Sequence, residues 1–156
     1  MRAARFQDVT TFTDRTNLCD ANLSKYPDRI SVIIEPYFDT DPPITTKKFL
    51  ILRTQLISRM INTIKDKIQT EDHTVLRFYV VKEAPPPVQI KTILSDWYSY
   101  ITGKIADSTL VYLPVGYPAA HVYDRYRHED GLLYIVYTIE TPLEKSLPNL
   151  SFDSLK

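Results

Sequence analysis

The side chains able to do chemistry are few. Cys19 is the only cysteine, in a polar stretch with no convincing base beside it, so an inert thiol is the plain reading and a nucleophile the weaker one. His73, His121 and His128 have no partner cysteine and lack the i, i+4 spacing that sets two imidazoles on one helix face. No metal site is expected from them, and all three read as surface histidines. There is no glycine-rich phosphate loop and no serine elbow. The expectation is a protein that is not an enzyme and needs no cofactor. What remains is binding: Arg29, Lys48 and Lys67 are cations set beside short apolar runs, and by default they read as solvated surface charges.

The elements that would position those cations are legible from pattern. Ile30 to Glu35 is a β-branched run with the composition of a buried strand, and Lys48 to Leu52 is a second short strand after a turn over Asp39 to Thr46. From Arg53 to Ile68, Leu56, Met60, Ile64 and Ile68 recur every four residues with Ile57 and Ile61 beside them, which makes one broad apolar face on a helix. Leu132 to Thr138 reads as a strand entered through Asp130-Gly131, where glycine can take a positive φ. The intervening core strand is either Val75 to Val81 or Thr109 to Leu113; gap-free spacing from the helix favours the first, and Arg77 in its middle argues for the second. Asp8 to Ser24 suits one or two short helices. Val88 to Lys104 carries Ile90, Ile93, Leu94, Trp97 and Ile101 on one helical stripe. That stripe suits core packing or a protein contact better than a membrane interface, because its polar face has few cations.

Bulk properties narrow the classes. At 156 residues, 44% hydrophobic and 24% charged, the chain has the size and composition of one folding domain. Nineteen basic and nineteen acidic residues cancel, which removes the positive field of a nucleic-acid binder. With one cysteine no internal disulfide forms, no secretion signal is visible, and no apolar run approaches the roughly 20 residues of a membrane span. A soluble, cytoplasmic protein is expected. Eleven prolines against three glycines punctuate the segment ends.

Lys25-Tyr26-Pro27-Asp28-Arg29-Ile30 followed by Val32-Ile33-Ile34-Glu35 resembles the opening of the ubiquitin core in the autophagy modifiers, the GABA-receptor-associated proteins and microtubule-associated light chains. The resemblance continues at Lys47-Lys48-Phe49-Leu50-Ile51, runs through the helix to Ile68, and returns at Tyr123 and at Asp130-Gly131-Leu132-Leu133-Tyr134. Phe12 and Arg15 stand where that family has a phenylalanine and an arginine in an added N-terminal helix. The resemblance implies an α+β fold, a ubiquitin-like β-grasp roll with two N-terminal helices. It divides the chain into a helical extension at 1–24, a ubiquitin-like domain at 25–143 with an inserted helical segment at about 82–112, and a flexible tail at 144–156.

It also implies a function: an autophagy adaptor that binds linear motifs of cargo receptors or autophagy machinery, an aromatic anchor followed three residues later by an aliphatic one. The peptide would extend the sheet along Lys48 to Leu52 while pockets receive alternate side chains. Ile33, Lys48, Leu50 and Leu132 would form the aromatic pocket, and Phe49, Ile51, Leu52, Met60 and Ile64 the aliphatic one. Arg29, Lys48 and Lys67 would meet acidic residues flanking the motif. Ser31, Leu18, Asn22, Gln55 and Thr63 depart from the family pattern, and with Asn22, Gln55 and Thr63 in place of apolar residues both pockets are expected to be more polar. No glycine follows Gly131, and the family's lipid-attachment glycine falls at about Glu144, so lipid conjugation of the sequence as written is not expected. Membranes, autophagosomal or vesicular, would be reached through a partner or after further processing. The alternatives are a structural or assembly subunit with a vestigial groove, and a vesicle-trafficking adaptor.

Overall fold

The computed structural model describes residues 1–71, 73–83 and 109–140. Two helices, α1 (Phe6–Val9) and α2 (Phe12–Lys25), precede β1 (Arg29–Pro36) and β2 (Lys48–Leu52). Then follow α3 (Ile57–Lys65), β3 (Leu76–Val81), β4 (Leu110–Tyr112), α4 (Ala119–Tyr126) and β5 (Leu133–Ile139). The expected Val88 to Lys104 helix and the tail beyond 140 lie outside the described residues.

The five strands form one sheet in the order β2-β1-β5-β3-β4. β1 and β5 run parallel, and the other pairs are antiparallel. This central parallel pair explains the unbroken β-branched run read in the sequence: a strand covered on both faces needs no polar alternation. Ile30, Val32 and Ile34 of β1 point into the main core with Ile57, Met60, Ile61 and Ile64 of α3. Ile33 points the other way, into a smaller core with Cys19 of α2, Leu132, Tyr134 and Val136.

The alternatives for the intervening strand are both strands, paired antiparallel to each other. Leu76–Val81 pairs directly with β5, and Leu110–Tyr112 adds to the outer edge of β3. Arg77 is accommodated because its Nη2 reaches Glu140 Oε1 at 2.8 Å. The α3 helix is shorter than the Arg53 to Ile68 periodicity predicts. Leu56 is extended and bridges to Pro118, while Ile68 bridges to Ile44, so tertiary pairing takes both ends of the apolar stripe out of the helix.

The join to β5 depends on one glycine. Gly131 has φ +87°, and a β-carbon there would lie 2.6 Å from Cys19 Sγ. Its carbonyl accepts hydrogen bonds from Cys19 Sγ at 3.2 Å and Tyr123 Oη at 2.7 Å. Cys19 is thus buried against a backbone turn, and that burial pushes its thiol pKa up, which agrees with an unreactive thiol.

Candidate peptide-binding edge

β2 is the outermost strand at one end of the sheet and pairs with β1 only. Its Lys48–Leu52 bounds match the sequence expectation. The register sorts its side chains. Lys48 lies opposite Ile33, Leu50 opposite Ser31 and Leu52 opposite Arg29, on the face toward α2. Phe49 lies opposite Val32 and Ile51 opposite Ile30, on the face toward α3. Alternation therefore assembles Lys48 and Leu50 on one side, and Phe49 and Ile51 on the other with Met60 and Ile64 beneath. Leu52 departs from the expected grouping. It shares the face of Lys48 and Leu50 and is 40% exposed.

Burial separates floor from surface. Ile33, Leu132, Met60 and Ile64 are each 1% exposed or less, so these four expected lining residues are core and cannot themselves be touched by a peptide in this conformation. Arg29, Lys48 and Lys67 are exposed, and Phe49 and Leu50 half-buried. Among the described residues none of the three cations is in an ion pair. Arg29 lies 5.4 Å over the ring of Tyr26, and Lys67 sits beside the turn into β2, where its carbonyl accepts from Thr45 N at 3.0 Å.

Phe6 covers the aromatic side, a role not read from the sequence. It packs against the smaller core of Ile33 and Leu132, and Lys48 Nζ stands 5.4 Å from its ring centroid. Its backbone N–H donates to Glu35 Oε1 at 2.6 Å, and Lys47 Nζ is 3.6 Å from the same oxygen. Burial pushes the Glu35 carboxyl pKa above its ordinary value, with the Phe6 hydrogen bond and Lys47 opposing. On the neighbouring stretch of this face, Asn22 Nδ2 donates to Ser31 Oγ at 3.2 Å, so these two departures from the family pattern satisfy each other.

A buried polar network ties the N-terminal helices to the sheet. Arg15 Nε donates to Asp130 Oδ2 at 2.9 Å, Tyr134 Oη donates to the same oxygen at 2.6 Å, and Leu132 N donates to Asp130 Oδ1 at 2.9 Å. His128 corrects the expectation of a surface residue: it is 7% exposed. Its Nε2 lies 2.7 Å from the Val81 carbonyl and its Nδ1 3.0 Å from Gln7 Nε2. A carbonyl can only accept, so Nε2 carries the proton and Nδ1 accepts from Gln7. His73 and His121 are exposed. Among the described residues no group of three or more His, Cys, Asp or Glu side chains could hold a metal ion, and no helix is long and apolar enough to cross a membrane.

No protein-family model matches the chain. Among curated proteins, autophagy-related protein 8h of Arabidopsis thaliana is 26% identical over 136 residues, which span 86% of this chain and 91% of that protein. Autophagy-related protein 8 of Pichia angusta is 23% identical over 138 residues, 88% of each. The chain is similar, at modest identity and over most of its length, to autophagy-related protein 8 proteins of plants and fungi. Solved structures agree on the ubiquitin-like fold. Trypanosoma brucei ATG8 superposes with a TM-score of 0.64 at 19% identity, covering 90% of this chain and 97% of that one. Plasmodium falciparum Atg8, solved with a Plasmodium falciparum Atg3 peptide, gives 0.63 at 20% identity, covering 89% and 98%.

Proposed function

We propose that the chain is a non-enzymatic adaptor whose β2 edge receives a short peptide with an aromatic anchor and, three residues later, an aliphatic one. The observation that carries this reading is the edge itself. Lys48–Leu52 pairs on one side only, with Lys48 and Leu50 facing one way and Phe49 and Ile51 the other. A strand added there would gain backbone hydrogen bonds and direct alternate side chains to both sides. Lys48 and the buried Ile33–Leu132 core lie at the start of β2, whereas Ile51 and the first turn of α3 lie toward its end. An aromatic-first peptide therefore runs parallel to β2. The Atg3 peptide held by the Plasmodium falciparum relative supports peptide capture on this fold.

Titration of a fluorescent peptide with tryptophan, two acidic residues and leucine in that spacing tests the reading. Lys48→Glu should abolish binding while leaving the fold intact, and undiminished affinity in that variant would refute it. The reading of a structural subunit with a vestigial groove draws on the aromatic side, where Phe6 already packs against the smaller core that contains Ile33 and Leu132. Under that reading the wild-type chain takes no such peptide, and Lys48→Glu leaves partner assembly unchanged.

A further inference from the structure

We infer that Asn22, held in place by Ser31, makes the α2 side of the β2 edge select an aromatic anchor that carries a hydrogen-bond donor, tyrosine or tryptophan in preference to phenylalanine. The inference rests on the reading of β2 as a peptide edge and names which peptides that edge prefers. On the face toward α2 the β1–β2 register sets three rungs in a row: Lys48 with Ile33, Leu50 with Ser31, and Leu52 with Arg29. Asn22 Nδ2 donates to Ser31 Oγ at 3.2 Å, which places this side of α2 at the middle rung. Leu18 stands one helical turn before Asn22 on the same side, and Tyr26 follows one turn later as the C-cap. Leu18, Asn22, Tyr26 and Leu50 are all half-buried, so part of each is open to a ligand along the border between α2 and β2. The first rung is already in use, because Phe6 packs against the core of Ile33 and its ring faces Lys48. An anchor laid along the edge therefore rests on the middle rung, about 7 Å further along β2, where Leu50 offers apolar surface and Asn22 an amide.

The amide decides which ring is accepted. It has two hydrogens and an oxygen with two lone pairs, and the bond to Ser31 Oγ uses one of the hydrogens. Ser31 is 7% exposed and belongs to the sheet, so it fixes the amide and leaves the oxygen to accept from a ligand. A ring seated on Leu50 excludes water from that oxygen. Tyrosine Oη–H or tryptophan Nε1–H then replaces the lost water bond. Phenylalanine covers the oxygen and gives it nothing, which is how a polar site rejects an analogue that lacks one hydroxyl. Leu50 alone meets the ring of each anchor alike and could not make this choice.

The test is a pair of fluorescent peptides, each an aromatic anchor, two acidic residues and leucine, that differ only in tyrosine or phenylalanine at the anchor. Anisotropy titration into the intact chain should show the tyrosine peptide bound about fivefold to tenfold more tightly. Asn22→Leu should bring the two affinities together, chiefly by improving the phenylalanine peptide, and Ser31→Ala should narrow the ratio. Each variant is compared with itself, so a loss of folded protein lowers both affinities and leaves the ratio unmoved. A ratio near one in the intact chain, or the intact chain's ratio kept in either variant, overturns the inference. If both peptides bind the intact chain equally and both lose affinity in Lys48→Glu, the peptide edge stands and the selection by Asn22 does not. If neither peptide binds the intact chain, nor does the matching tryptophan peptide, the edge reading fails and the inference with it.

Discussion

Arg15 Nε lies 2.9 Å from Asp130 Oδ2, joining the second helix to the turn before the last strand across 115 residues of sequence. The guanidinium is 12% exposed and the carboxylate 2%. Removing one partner of such a pair leaves the other's charge buried, which costs about 3–5 kcal/mol where nothing else compensates. Here Tyr134 Oη and Leu132 N still donate to Asp130. Arg15→Met should therefore destabilise the fold by about 2–3 kcal/mol in urea denaturation. Adding Asp130→Asn should recover part of that loss, because the orphaned charge goes with it.

Gly131 carries two constraints that can be separated. Gly131→Ala forces an alanine into a positive φ, costing about 1–2 kcal/mol, and drives its β-carbon onto Cys19 Sγ. A total loss of about 2–4 kcal/mol is expected. Cys19→Ala in the same chain removes the 2.6 Å clash and leaves the φ strain. A double-mutant cycle should then show a favourable coupling of about 1 kcal/mol or more.

Glu35 makes stability depend on pH in a direction opposite to an exposed, ion-paired carboxylate. Its pKa is raised in the folded chain from an ordinary 4.5, with burial the largest cause. The folded state therefore holds the proton to higher pH than the unfolded chain does, and this group's contribution to stability falls as pH rises from 4.5 through the folded value. Asp41, raised by burial from 3.8, acts in the same sense beginning at lower pH. Glu35→Gln keeps an acceptor for Phe6 N and should flatten the decline, so that denaturation midpoints measured at successive pH values above 4.5 fall less steeply than in the wild type.

Phe6 and Lys48 should part in their effects. Phe6→Ala removes a half-buried ring from the smaller core and should cost about 1–3 kcal/mol, with a lowered melting temperature. Lys48→Ala, at an exposed position, should leave the melting temperature nearly unchanged and affect peptide binding alone.

The central strands and the core face of α3 were legible because the information is local: β-branched runs for β1 and β5, a four-residue recurrence for α3. α4 was harder: Ala119 and Val122, one helical turn apart, carry too little periodicity to stand out, and the helix is fixed by neighbours far away in sequence. The same reason hid His128, whose partners are Val81 and Gln7, and Phe6, whose importance comes from Glu35, Ile33 and Lys48. At the candidate edge, the cations and the strand were readable as types. Which lining residues are floor and which are surface was not, because Met60, Ile64, Ile33 and Leu132 are sealed by elements that the strand's own sequence does not mention.

A sheet edge paired on one side only is an invitation to aggregate. β2 answers with consecutive lysines at its entrance, Lys47 and Lys48, whose ammonium groups would lose water if another edge packed against them indiscriminately. The charges that would welcome an acidic peptide thus serve as gatekeepers as well. Neutralising both for the sake of stability would trade a selective edge for a sticky one.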